Sequence, residues 1–253
     1  MLAILSPAKT LDFSKNNYLH HTIPEFMPES EELINELKMN SVEDLSTLMK
    51  LSTSLSTLNV ERYNNWNKNF DLSNSKQSIL CFKGGVYVGL DVESFSDEEL
   101  LYSQDYLRIL SGLHGILKPL DLIQPYRLEM GTKLKTKKGK NLYEFWGDKL
   151  TSSLNNSLLS SKSSVLVNLA SNEYFSSLNY DTINADILDI KFLDKKNGSY
   201  KIVSFFAKKA RGSMAAFIIK NRVKDINDLK EFKGLGYSFD KSRSEKKSLV
   251  FTR

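Results

Sequence analysis

Four short segments of this chain carry side chains whose type and spacing suit them to chemistry. Ser6-Pro7-Ala8-Lys9-Thr10 sets two hydroxyls and an ammonium directly after an apolar run, Leu2–Leu5. Asn168-Leu169-Ala170-Ser171-Asn172-Glu173-Tyr174-Phe175 repeats the arrangement after the β-branched run that begins at Val165. Polar residues just past a buried strand are where open α/β sheets place ligands. Ser171 or Asn172 is equally suited to cap a helix that begins at Glu173. In Phe206-Ala207-Lys208-Lys209-Ala210-Arg211-Gly212, three cations crowd the handover from a strand to a helix. The helix dipole disfavours positive charge there, so an anion or a carboxylate is expected beside them. Residues 108–119 place Gly112 and Gly115 between apolar stretches, with Arg108 and Lys118 at the edges. The segment resembles the hairpin of a helix-hairpin-helix element, whose glycine spacing is usually tighter than this Gly-x-x-Gly and whose glycine N–H groups face a phosphate whatever the base sequence. The same glycines suit an ordinary helix cap and turn.

Other chemistries lack their residues. The three histidines, His20, His21 and His114, form no His-x-x-x-His pair, and no Gly-x-Ser-x-Gly elbow occurs. His20 and His21 beside Glu25 make a poor metal set, so neither iron nor zinc is expected. Lys83-Gly84-Gly85-Val86-Tyr87-Val88-Gly89 has the wrong glycine spacing for a dinucleotide fingerprint. Cys81 lies in an apolar run and reads as a small buried hydrophobe.

The elements that must hold these segments follow from periodicity. Leu2–Leu5 reads as a strand. Residues 29–50 read as two helices, the second opened by Ser41 and Asp44 in capping-box spacing. Residues 52–58 read as a loop and 60–70 as a helix carrying Tyr63, Trp66 and Phe70. Val86-Tyr87-Val88 is strand-like. A helical period runs from Asp97 to Leu110. Val165–Leu169 reads as a strand. Residues 186–193 and 200–206 read as a hairpin turning at Asn197-Gly198, two residues that tolerate positive φ. Residues 209–222 read as a helix, and 237–239 and 249–251 as closing strands. Strands and helices mix without a regular βαβ beat. The expectation is one α/β domain over residues 1–253, of mixed α+β character, with helices around a mixed sheet and a helix-hairpin-helix embedded in it.

With 253 residues, 41% hydrophobic and 26% charged, the chain can bury a sizeable core. One cysteine excludes an internal disulfide and points to a reducing, cytoplasmic setting. Leu2–Leu5 is too short for a signal peptide, and no apolar run is long enough to span a membrane. The net charge of +5 is unevenly spread: residues 1–100 carry 8 basic and 15 acidic side chains, residues 201–253 carry 14 and 5. A basic end of that size attracts polyanions, though a lysine-rich solvated surface gives the same count.

The sequence resembles the YaaA family of bacterial peroxide-stress proteins along essentially its whole length. The strings that carry the resemblance begin with residues 5–11, Leu-Ser-Pro-Ala-Lys-Thr-Leu, and with Phe82-Lys83-Gly84, Val86-Tyr87 and Gly89-Leu90. They continue through residues 110–115, 119–131 and 142–148, the last two Pro-Leu-Asp-Leu-Ile-Gln-Pro-Tyr-Arg-Leu-Glu-Met-Gly and Leu-Tyr-Glu-Phe-Trp-Gly-Asp. Asn168-Leu169-Ala170-Ser171, Glu173-Tyr174-Phe175 and Lys208-Lys209-Ala210-Arg211-Gly212 complete them. The resemblance implies a cytosolic protein of unusual α/β fold with a helix-hairpin-helix element over Leu110–Gly115 and a positively charged cleft. It also implies affinity for double-stranded and branched DNA and a role in limiting iron-linked oxidative damage. Two positions depart from the family pattern: Gly85 stands where an acid is usual, and Ala216 where an arginine is common.

Two functions are therefore expected to compete. In the leading one, a non-enzymatic monomer binds DNA without base specificity and uses no cofactor. Gly112 and Gly115 face phosphate, and Arg108, Lys118, Lys208, Lys209 and Arg211 supply the field. In the other, an enzyme takes a phosphate-bearing or nucleic-acid substrate into a cleft built from Ser6, Lys9, Lys83, Arg127, Glu129, Asn168, Glu173 and Lys208. Geometry separates them. A binder needs an open basic groove, and an enzyme needs carboxylates and cations converging in a closed cleft.

Overall fold

The computed structural model describes residues 1–253. Leu2, Ala3, Ile4 and Leu5 are fully buried, and this four-residue strand (β1, Leu2–Leu5) occupies the middle of an eight-stranded mixed sheet. A strand with both faces covered can be continuously apolar, which is the pattern here. On one side β1 pairs in parallel with β2 (Leu107–Ser111), which turns back antiparallel into β3 (Gly115–Leu117). On its other side lie, all parallel, β4 (Val165–Asn168), β5 (Asp186–Lys196) and β8 (Ser248–Thr252). The short strands β6 (Ser199–Lys201) and β7 (Ser238–Phe239) pair antiparallel with β5 and β8 respectively. The order across the main path is β7-β8-β5-β4-β1-β2-β3. The chain thus adds β2 on one side of β1 and β4 on the other, so the strand order reverses between β1 and β4. Ligands of open α/β sheets sit at such a switch point, outside the carboxyl ends of the strands.

The helices that matter here form for local reasons. In α1 (Met27–Lys38), Pro28 opens the first turn and Leu33, Ile34 and Leu37 make the buried face. In α2 (Val42–Met49), Ser41 and Asp44 close the reciprocal capping box expected from their spacing. A third helix, α3 (Thr53–Asn65), covers the segment expected to be a loop, because Ser52 caps it and Tyr63 buries on its inner side. Residues 85–90 are helical (α4, Gly85–Leu90), not extended. They lie across the long α7 (Ser204–Lys220) of the C-terminal region, and the contact overrides the β-preference of Val86-Tyr87-Val88. The two backbones touch: a methyl group on Gly212 would fall 1.7 Å from the carbonyl oxygen of Val86. Between them in sequence lie α5 (Asp97–Tyr106), capped by Ser96 and Glu99, and α6 (Lys149–Ser160). No helix is long and apolar enough to cross a membrane.

The helix-hairpin-helix expectation fails at residues 107–117. The α5 period ends at Tyr106, Leu107 takes extended angles, and the apolar run that follows is a β-hairpin beside the central strand. Apolar residues buried on both faces carry no period that separates strand from helix. Gly112 and Gly115 are buried in the turn of this hairpin. A side chain on Gly112 would collide with the carbonyl oxygen of Leu128 at 2.2 Å. Gly115, at φ +67°, faces Leu150 and Trp146. Their N–H groups are closed to phosphate. Arg108 is buried too: Nε donates to Ser157 Oγ at 3.1 Å and one terminal nitrogen donates to the carbonyl oxygens of Gln104 and Leu107. Of the four residues expected there to meet DNA, only Lys118 reaches solvent.

Candidate functional site

The polar loops that follow β1 and β4 meet at the switch point. Ser171 N donates to Ser6 Oγ at 2.9 Å, and Tyr87 Oη donates to Ser6 O at 3.1 Å. The loop 6–10 is thereby held open above a cleft of about 390 Å³. Its walls are that loop, residues 83–86, residues 126–129, the short helix Asn172–Phe175, and Lys208 and Arg211 of α7. Volumes of this order belong to small-molecule pockets. The cleft is too small to admit a duplex.

Its charge comes from five cations and two carboxylates: Lys9, Lys83, Arg127, Lys208 and Arg211 against Glu129 and Glu173. Glu129 is the hub. Its Oε1 lies 3.0 Å from Lys9 Nζ, 3.0 Å from an Arg127 terminal nitrogen and 3.2 Å from Arg127 Nε. Arg127 is positioned from behind by Tyr63, whose hydroxyl donates to the Arg127 carbonyl. Glu173 is also fixed: Gly131 N donates to its Oε1 at 3.0 Å, and Tyr143 Oη to its carbonyl at 2.9 Å. Lys83 spans Glu93 at 3.1 Å and Asp12 at 3.8 Å.

Arg211 and Lys208 differ from these. Neither makes an ion pair or a side-chain hydrogen bond within the protein, although Arg211 is half-buried. Burial alone lowers the Arg211 pKa, and no carboxylate stands close enough to offset it. The expected crowding at the helix start is relieved differently from the sequence expectation. Helix α7 begins at Ser204, so Lys208 and Arg211 lie in its second and third turns, past the region where the dipole acts. Phe205 and Phe206 are its first turn, not the end of the preceding strand.

Of the residues expected in a cleft, Ser6, Lys9, Lys83, Arg127, Glu129, Glu173 and Lys208 line this one together. Asn168 does not: it donates to Asp189 Oδ1 at 2.9 Å and accepts from Ala170 N, bracing the loop after β4. Arg211 joins the cleft, whereas Lys209 lies on α7 outside it with its backbone against Gly89. Sequence reasoning missed Tyr126 and Tyr174, buried tyrosines that form part of the wall. Tyr126 Oη sits 2.7 Å from Ser111 Oγ at the carboxyl end of β2, and burial holds both phenols protonated. Their signal was adjacency: each neighbours a charged cleft residue in the chain. No group of three His, Cys, Asp or Glu side chains comes together in a way that would hold a metal ion.

Residues 1–243 match the family described as peroxide stress protein YaaA. The chain is also 50% identical to a UPF0246 protein of Idiomarina loihiensis, over 254 aligned positions that cover 100% of this chain and 98% of that protein.

Proposed function

As a member of the YaaA family of peroxide stress proteins, this chain acts, we propose, by binding DNA without base specificity and so limiting iron-linked oxidative damage. The observation that carries this reading is the pair Arg211 and Lys208, cationic, free of internal partners and facing the cleft. A half-buried guanidinium with no counter-charge is stabilised by an arriving anion, and its planar fork suits a phosphate. The open groove as wide as a duplex that a binder was expected to need is not what this cleft offers; on this reading it takes the phosphate of a strand end or an unpaired nucleotide, so branched DNA binds ahead of uninterrupted duplex. The protein binds as a cytoplasmic monomer and turns nothing over. Contact with phosphates alone is read by salt. Log affinity for a branched DNA should fall linearly with log salt at about −0.9 per phosphate neutralised, for at least the contacts that Lys208 and Arg211 supply. Affinity that is flat between low and physiological salt refutes the reading.

A second reading has an observation of its own. Lys9, Arg127 and Glu129 converge within 3.0 Å, with Glu173 in the same cleft, which is the arrangement of an enzyme acting on a phosphate-bearing substrate. Release of inorganic phosphate or of nucleotide from DNA by the purified protein, lost in Glu129→Gln, would select it.

A further inference from the structure

The start of α7 and the residue two before it expose large apolar side chains. Phe205 is 71% exposed, Ile202 57% and Phe206 40%. The two rings differ in what covers them. Phe206 carries the guanidinium of Arg253 at 4.3 Å over its face, and Arg253 is itself fixed by Asp194 at 2.6 Å. Phe205 has the Phe206 ring as its aromatic neighbour, centroids 5.6 Å apart in an edge-on pair at 68°, and no cation or ring is stacked on it. Residues three apart on a helix are neighbours, so Phe205 adjoins Lys208 and Lys208 adjoins Arg211 in a row that winds about 120° around α7, its last two members lining the cleft. Lys201 lies exposed nearby in sequence, and Arg243 covers Tyr200 at 4.3 Å, so the aromatic surface is set among cations.

A flat, open aromatic ring followed along one row by two unpaired cations fits one chemistry in particular. Bases of unpaired nucleic acid stack on such rings while their phosphates are held by neighbouring lysine and arginine. We propose that Phe205 is the stacking platform for an unpaired nucleobase whose phosphate is held by Lys208 and Arg211. The proposal rests on the nucleic-acid reading of the cleft and adds to it a residue and a strand state.

The test is a fluorescence-anisotropy titration at low salt. The ligands are a labelled single-stranded oligonucleotide, the same strand with abasic sites, and a blunt duplex. The proteins are wild type, Phe205→Ala, Phe205→Trp and Arg211→Ala. Phe205→Ala should weaken the intact single strand about tenfold, the worth of one stacked base. Phe205→Trp should restore it. The abasic strand should bind wild type as weakly as the intact strand binds Phe205→Ala, and duplex affinity should not respond to position 205. If Phe205→Ala and abasic substitution change nothing while Arg211→Ala weakens every ligand, stacking is wrong and the phosphate reading stands. If wild type binds none of the three, both fall. Sedimentation showing a wild-type dimer that Phe205→Ala dissolves would make the ring a self-association contact and overturn the proposal.

Discussion

Arg211→Ala separates a ligand-binding arginine from a structural one. An arginine buried against a carboxylate leaves that carboxylate stranded when removed, at a cost of about 3–5 kcal/mol. Arg211 has no such partner: Glu129 is taken by Lys9 and Arg127, and Glu173 by the Gly131 amide. Truncation therefore strands nothing and removes a group that burial already disfavours. The expected stability change is within about 1 kcal/mol, or a melting shift of about 2–4 °C at most for a chain of this size. Affinity should behave otherwise. No Arg211 donor is used within the protein, and hydrogen bonds to a charged group are worth about 1.5–3 kcal/mol, so phosphate-bearing ligands should weaken roughly 10- to 150-fold. The assay is a thermal melt beside a DNA titration on the same preparation. A melting point lowered by about 10 °C, far beyond the shift expected from the size scaling, with unchanged affinity in the surviving folded protein, would refute the assignment and reveal an internal partner.

Glu129→Gln should do the opposite on both counts. It leaves Arg127, whose side chain is 17% exposed, without its counter-charge, lowering stability by about 1–3 kcal/mol, while the more positive cleft binds DNA more tightly in the same titration. His114 should make the fold acid-sensitive. It is fully buried with Nδ1 2.9 Å from Ser30 Oγ and Nε2 unpartnered, and burial pushes its pKa down to about 3. The unfolded chain, near 6.5, binds the proton first, so the contribution is present above about pH 6.5 and is lost as pH falls toward 3. Between pH 7 and 5 this amounts to about 2 kcal/mol. Buried Asp121, its pKa raised to about 6, works in the reverse direction and loses stability as pH rises from about 4 to 6. Urea melts at both pH values should therefore show His114→Asn gaining stability, relative to wild type, on acidification. A pH difference unchanged by that substitution removes His114 from the account.

The sequence was most legible where local chemistry decides structure. Leu2–Leu5 is a strand at the expected residues, the Ser41–Asp44 cap is closed, and Asn197 and Gly198 turn the hairpin at φ +52° and +78°. The cleft was legible because polar residues after β1 and β4 have only one place to go at a switch point. What failed was decided by distant contacts. Val86-Tyr87-Val88 is helical because Gly89 and Gly212 let α4 lie on α7, a contact between segments far apart in the chain. Leu107–Ser111 pairs with β1 and turns back into Gly115–Leu117, and nothing local distinguishes that from continuing α5. Phe205 and Phe206 looked like strand residues because they are apolar. In fact they are exposed, and exposure of an aromatic is the feature a burial pattern cannot supply.

With the helical hairpin gone, both readings proposed here rest on the cleft, and Gly85 offers a way to separate them. A β-carbon at Gly85 would sit 3.2 Å from the β-carbon of Lys208, close enough for an acid at 85 to pair with that lysine. The resembled family usually has such an acid. This chain has none, so Lys208 is left free and the cleft keeps its surplus of positive charge. A binder gains from that surplus, whereas an enzyme that needs a third carboxylate loses by it. Gly85 does not use positive φ, but the atom in the way is the Lys208 β-carbon, so Gly85→Asp asks α4 and α7 to part by a few tenths of an ångström and should lower the melting point by a few degrees. If the cleft is an anion site, the new carboxylate should weaken DNA binding roughly three- to tenfold and make it less salt-dependent by about one contact. If the cleft is catalytic, the same substitution should instead raise release of phosphate or nucleotide, with affinity little changed. A Gly85→Asp variant that binds as tightly as wild type and releases nothing contradicts the assignment of Lys208 under either reading.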